Sequence, residues 1–117
     1  MQSINSSQAI KKLKDSKVIF LDVREPEEFF SEKLPKSINI PLSDFDEKLI
    51  AKAIPNKNTE IICFCRSGGR SSRAAQILEQ LGYSKAFNLE GGLIALNQLL
   101  PKLKINLVIP VTKAFDA

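Results

Sequence analysis

The sequence predicts an α/β domain with a central, mostly parallel sheet and helices on both faces. Three observations carry this. Four short apolar runs, Val18 to Val23, Ser37 to Ile40, Glu60 to Cys65 and Ala86 to Leu89, are separated by segments of helical character. The stretches VIFL and IICFC do not alternate apolar with polar residues, so their strands need cover on both sides. The segments between the runs carry residues that start and stop helices.

Taken in order, a first helix is expected over Ser7 to Leu13, ahead of the strand at Val18 to Val23. Pro26 then opens a short helix at the position where its missing N–H costs nothing, and Glu27 and Glu28 favour the positive end of the helix dipole. Ser43 is a suitable N-cap for the next helix, whose Phe45, Leu49, Ile50 and Ala53 fall on one face and which Pro55 stops. Ala74, Ile77, Leu78 and Leu81 form the stripe of a further helix, ended by a left-handed Gly82. The last helix runs from Gly91 or Gly92 to Leu100, where Pro101 stops it. Residues 101–117 fall outside the alternation. Their run Ile105 to Ile109 would be an aggregation hazard if bare, so it is expected to lie as an extended tail on its own domain, with a partner-binding strand as the alternative.

Composition narrows the chemistry. A chain of 117 residues is the size of one domain, and with 44% hydrophobic residues it can bury roughly 65% of its unfolded surface. The net charge of +4 is modest. The densest basic stretch, Lys11, Lys12, Lys14 and Lys17, is interrupted by Asp15 and has no aromatic residues to stack on bases, so it reads as a solvated helix face and no nucleic-acid partner is expected. No stretch has the roughly 18 apolar residues of a membrane span, and the N-terminus lacks the pattern of a signal peptide, so a cytoplasmic location without membrane contact is expected. Histidine is absent, which removes every scheme built on a histidine base. Cys63 and Cys65 are too close in sequence to close a useful disulfide loop. A single C-x-C pair cannot supply four zinc ligands, so no metal is expected.

The chemistry is concentrated in Ile61-Ile-Cys-Phe-Cys65-Arg66-Ser67-Gly68-Gly69-Arg70-Ser71-Ser72-Arg73. An apolar strand ends in a cysteine, a loop with two glycines and two arginines follows, and an amphipathic helix begins at once. Open α/β sheets keep their binding crevices at the C-terminal ends of such strands. Gly68 and Gly69 let the backbone curl so that several N–H groups converge on an anion, while the helix dipole, Arg66, Arg70 and Arg73 add positive potential. Such surroundings lower a thiol pKa from roughly 8.5 to between about 3.5 and 7.5. Each unit requires about 1.4 kcal/mol of preferential thiolate stabilisation, within reach of a few charge-assisted N–H contacts. A free cysteine at a strand end is often only a small buried residue, but the arginines and glycines around Cys65 favour a nucleophile. Cys63 has no basic surroundings and reads as core, with a resolving thiol as the alternative. A nucleotide-binding loop is disfavoured because no Gly-Lys-Ser/Thr occurs.

Four ordered motifs resemble those of the single-domain rhodaneses, a sulfurtransferase family. They are Leu21-Asp-Val-Arg24-Glu25-Pro26-Glu-Glu-Phe29, Ser37-Ile-Asn-Ile-Pro-Leu42, the loop Cys65-Arg-Ser-Gly-Gly-Arg70-Ser71, and Leu78-Glu-Gln-Leu-Gly82-Tyr83 with Leu89-Glu-Gly-Gly92. The resemblance spans about residues 3 to 98, so a rhodanese-like domain is expected over residues 3–100, with 101–117 a tail of unknown role. Two departures stand out. Glu32-Lys33-Leu34-Pro35-Lys36-Ser37 replaces the family's usual Gly-His-Ile-Pro-Gly-Ala, and Leu96 replaces its usual tryptophan.

The resemblance implies a three-layer rhodanese-like fold and a cofactor-free, two-step transfer. Cys65 would take a sulfane sulfur from a small sulfur-containing anion such as thiosulfate and pass it to cyanide or another thiophilic acceptor, with a sulfur-accepting protein as a further partner. Arg66, Ser67, Gly68, Gly69, Arg70 and Ser71 would form the anion-binding loop, Arg70 orienting the donor and Arg66 attracting it. Asp22 and Arg24 would make structural polar contacts at the strand end, against the alternative that Arg24 is an ordinary surface charge. Phosphatases and arsenate reductases of related fold resemble C-x5-R, whereas Cys65 to Arg70 is C-x4-R. A non-enzymatic interaction module and a persulfide carrier complete the alternatives.

Overall fold

The two most apolar runs become the centre of the sheet. In a computed structural model, which describes residues 1–100, β2 (Val18–Asp22) and β4 (Glu60–Phe64) lie side by side and parallel, with Val18 opposite Glu60 and Asp22 opposite Phe64. β3 (Ile38–Asn39) pairs with the outer side of β2. β5 (Ala86–Leu89) pairs with the outer side of β4, and β1 (Gln2–Ile4) closes the other edge against β5. All five strands are parallel, in the order β1-β5-β4-β2-β3.

Successive residues of β2 and β4 feed opposite cores, which is why these runs show no polar alternation. Leu21, Ile61 and Cys63 face a layer that includes Ile50 of α3 (Glu47–Ala53), Ile54 just after it, and Ala74, Ala75 and Leu78 of α4 (Gly69–Gln80). Phe20, Ile62 and Phe64 face the opposite layer, with Ala9 of α1 (Ser6–Lys11) and Leu93 and Leu96 of α5 (Gly92–Leu99). Each fully buried Leu or Ile is worth about 1.5–3 kcal/mol, more than a surface ion pair supplies. Leu96 packs fully buried where the related family usually places a tryptophan.

β1 lies outside the four runs read from the sequence. It has three residues, of which only Ile4 is buried, and its ladder to β5 rather than its own apolarity defines it. α1 starts one residue earlier than expected and ends at Lys11, because Asn5 caps it by accepting from the Gln8 N–H at 2.9 Å. α2 (Pro26–Ser31) begins at the expected proline. Ser43 does not cap the next helix. It sits in a 3-10 turn over Leu42–Asp44 and donates its hydroxyl to Glu25, while Asp46 caps α3 by accepting the Leu49 N–H at 3.1 Å. Of the stripe expected on one face, Ile50 is buried, while Leu49 is 44% exposed and Ala53 is exposed as well. α4 ends before Gly82, which has φ +98°, and the Tyr83 N–H closes the turn on the Leu78 carbonyl at 3.0 Å. The expectation for Ile105 to Ile109 lies outside the described residues, among which no helix is long and apolar enough to cross a membrane.

This strand order positions the site. β3 lies to one side of β2 and β5 to the other side of β4, so the segments leaving β2 and β4 diverge. A crevice opens at the C-terminal ends of strands where neighbouring connections part in this way. Asp22 and Arg24 sit at the end of β2, and Cys65 follows β4 directly.

Candidate active site

Cys65 is the first residue after β4 and only 1% exposed. The next turn is tight because Gly68 adopts φ +111°, a conformation that L side chains rarely take. That turn brings the Gly68 N–H to 3.0 Å from Cys65 Sγ, as donor. α4 starts at once, and Ser71 in its first turn is fully buried with its Oγ 3.4 Å from the same sulfur. The Ser71 hydroxyl is also 2.6 Å from Asn88 Oδ1 on β5, completing a buried chain from Cys65 through Ser71 to Asn88.

Opposed forces set the thiol's acidity. Burial pushes the Cys65 thiol up, but the Ser71 hydroxyl and the N–H groups of Ser71, Gly68 and Ser67 together outweigh it, leaving the pKa below its ordinary value. Cys63, two residues back and fully buried, has no such donors, and burial alone drives its pKa up. The two thiols are therefore chemically unlike: the loop donors favour the thiolate form of Cys65, whereas burial favours the neutral thiol of Cys63. Among the described residues no cluster of three side chains could hold a metal ion.

The loop is held from behind by α5. The first N–H groups of this helix, which have no partner within it, are donated by Leu93 to the Cys65 carbonyl at 2.9 Å and by Ile94 to the Arg66 carbonyl at 3.0 Å. Gly92 makes the approach possible. It has φ +57°, and a Cβ there would lie 2.5 Å from the Cys65 carbonyl oxygen and 2.6 Å from the Arg66 carbonyl. Gly69, by contrast, has open space where a side chain would go, so the loop does not require glycine there on steric grounds.

The arginines divide by partner. Arg24 is a buried structural residue and not a surface charge. Its guanidinium meets both Asp22 carboxylate oxygens, with a shortest contact of 2.7 Å, and donates to the Glu32 carbonyl at 2.6 Å. Asn39 ties the same strand end by donating to the Asp22 and Arg24 carbonyls, both at 2.9 Å. Arg70 forms a forked pair with Glu28, Nη1 to Oε1 at 2.7 Å and Nη2 to Oε2 at 3.1 Å. This pairing holds the Glu28 carboxyl down to about 2. Arg66 and Arg73 are exposed and form no ion pair among the described residues. A cleft of about 420 Å³ runs beside the loop between α2 and α5, lined by Arg24, Glu28, Glu32, Arg66 and Ile94 among others.

Residues 65–71 and the Asp22–Arg24 pair, singled out in the sequence, thus converge at one end of the sheet. Asn88 and the two N–H donors of α5 were not anticipated. The visible signal for Asn88 was a polar residue inside the otherwise apolar run AFNL. Glu28 was read only as a helix-dipole residue, because a partner 42 positions away leaves no local pattern.

Comparison with known proteins agrees with this arrangement. The model of the rhodanese-like domain matches residues 5–98. The thiosulfate sulfurtransferase PspE of Escherichia coli is 39% identical over 85 residues, covering 73% of this chain and 78% of its own length. A sulfurtransferase of Allochromatium vinosum is 32% identical over 96 residues, covering 81% and 87%. The crystal structure of a rhodanese-related protein from Thermoplasma volcanium superposes with a TM-score of 0.73 at 29% identity, covering 93% of this chain and 99% of that one. With the matched region running from the capping turn of α1 into α5, the chain belongs to the rhodanese-like domain family and has sulfurtransferases as its relatives.

Proposed function

We propose that this sulfurtransferase carries sulfane sulfur as a persulfide on Cys65, taking it from thiosulfate or a similar donor and giving it to cyanide or a thiol. The reading rests above all on one observation: a buried cysteine sulfur faces the Gly68 N–H and the Ser71 hydroxyl, and its thiol is acidified without any base. In the first step the Cys65 thiolate attacks the outer sulfur of thiosulfate. A new S–S bond forms, the old one breaks, and its electron pair leaves on sulfite. The terminal sulfur of the persulfide carries one negative charge, which suits the N–H groups around Ser67 to Ser71. In the second step the acceptor takes the terminal sulfur, and the electron pair returns to Cys65 as thiolate.

Arg66, exposed at the mouth of the loop, draws anionic donors in, while Arg70 orients them from the first turn of α4. Asp22 and Arg24 keep the end of β2 in place beside the loop. A sulfur-accepting protein is the natural partner of a persulfide held this way, since a bound sulfane sulfur is most useful when passed on directly. The shorter C-x4-R spacing favours sulfur over a tetrahedral phosphoryl group.

Because the donor's remnant leaves before the acceptor enters, thiocyanate production from thiosulfate and cyanide is expected to be ping-pong. Reciprocal plots at several fixed cyanide concentrations should be parallel. Intersecting lines would mean that both substrates bind before sulfur moves, and would rule out the free persulfide.

A further inference from the structure

Three arginines, Arg24, Arg66 and Arg70, and three carboxylates, Asp22, Glu28 and Glu32, lie at the loop's end of the sheet. Two of the arginines are already engaged. Arg24 is spent on buried Asp22, and Arg70, the arginine closest in sequence to the loop's end, is gripped at both terminal nitrogens by Glu28. Glu28 is itself fixed, since its Oε1 also accepts the Glu25 N–H at the start of α2, at 3.1 Å. The forked grip faces the Nη atoms, so the Nε–H edge of Arg70 is outside the pair. An incoming donor therefore meets a shaped guanidinium whose charge is already matched, while Arg66, which lines the cleft, has no ion pair among the described residues.

The geometry points to Glu28 as the residue that sets donor class: by neutralising Arg70 it disfavours dianionic thiosulfate and favours a persulfide of low charge, R–S–SH, as the sulfur source. This rests on the Cys65 persulfide proposed above and names its donor. In the step, the Cys65 thiolate attacks the terminal sulfur of R–S–SH. The new S–S bond forms on Cys65, the R–S bond to that sulfur breaks, and the electron pair leaves as R–S⁻, with the proton remaining on the transferred sulfur. No oxidant is needed, and the leaving thiolate carries one charge where sulfite would carry two.

The test is the rate at which Cys65 gains one sulfur in a single turnover, quenched and read by intact mass. Thiosulfate is compared with 2-hydroxyethyl persulfide, which has no charge beyond its own sulfur. Glu28→Gln keeps the side chain's length and an acceptor for the Glu25 N–H but removes the counter-charge from Arg70. Loading by thiosulfate is expected to rise on the order of tenfold at low salt and less at high salt, while loading by the persulfide changes less than about twofold. Glu32→Gln removes a cleft charge that does not touch Arg70 and should leave the ratio between donors nearly unchanged. Equal or slower thiosulfate loading in Glu28→Gln would overturn the assignment, as would the same gain in Glu32→Gln. If wild-type protein is loaded by neither donor, the persulfide on Cys65 itself is wrong, a result distinct from an unchanged ratio.

Discussion

Cys65→Ser should reduce sulfur transfer to the uncatalysed level while leaving the fold intact. A serine hydroxyl fits where the thiol sits and can still accept from the Gly68 N–H and meet Ser71, so the loop has no reason to move. What is lost is the nucleophile, because the donors that stabilise a thiolate cannot bring an alcohol into its ionised form near neutral pH. Cys63→Ala should retain transfer, since Cys63 is buried and its thiol is held protonated. The same asymmetry sets the pH dependence. A thiol reacts as thiolate, and the Cys65 pKa lies below the ordinary thiol value, so alkylation of Cys65 should be half-maximal at a pH below about 8.5 and fall as pH drops through that depressed pKa. Alkylation half-maximal at or above about 8.5 would show that burial prevails over the loop donors.

Asp22→Ala should be the most destabilising single substitution around the site. Asp22 is fully buried and Arg24 is 6% exposed, so the variant strands a guanidinium whose main partner has gone. Breaking a buried pair from one side costs about 3–5 kcal/mol, against a total of about 5–15 kcal/mol for a domain. At this chain length that lowers Tm by more than about 10 °C. Replacing both partners with apolar residues of similar size, Asp22→Leu with Arg24→Met, should restore much of the loss, because the desolvation penalty disappears with the charges. A melting curve for Asp22→Ala within 2–3 °C of wild type would mean that the pair is effectively solvated.

How much of this was legible in the sequence depended on whether each cause was local. The apolar runs at 18–23 and 60–65 and the proline at the start of α2 act within a few residues, and they were read correctly. Around Cys65 the glycine turn and the helix start are contiguous and so legible, whereas the groups that lower its pKa are the donors of Ser71, Gly68 and Ser67 rather than the arginines singled out in the sequence. β1 was missed because its identity comes from pairing with β5, more than eighty residues on. The start of α3 differs from the expectation built on Ser43: the Ser43 hydroxyl donates to Glu25 across the fold, and Asp46 caps the helix instead. The pairing of Arg70 with Glu28 and the chain from Ser71 to Asn88 join distant segments, so neither left a spacing to read. The resemblance marked Gly91 and Gly92 as a motif. Only the packing shows why the second is needed: it lets the α5 backbone approach the carbonyls of Cys65 and Arg66.

Whether Cys65 carries a persulfide is read from the mass of the intact protein after exposure to thiosulfate or 2-hydroxyethyl persulfide, with the adduct located by peptide mapping. The expected result is a gain of one sulfur atom at Cys65, removed by cyanide with release of thiocyanate and absent in Cys65→Ser. No gain with either donor, a gain at Cys63, or an adduct that cyanide does not remove would contradict it.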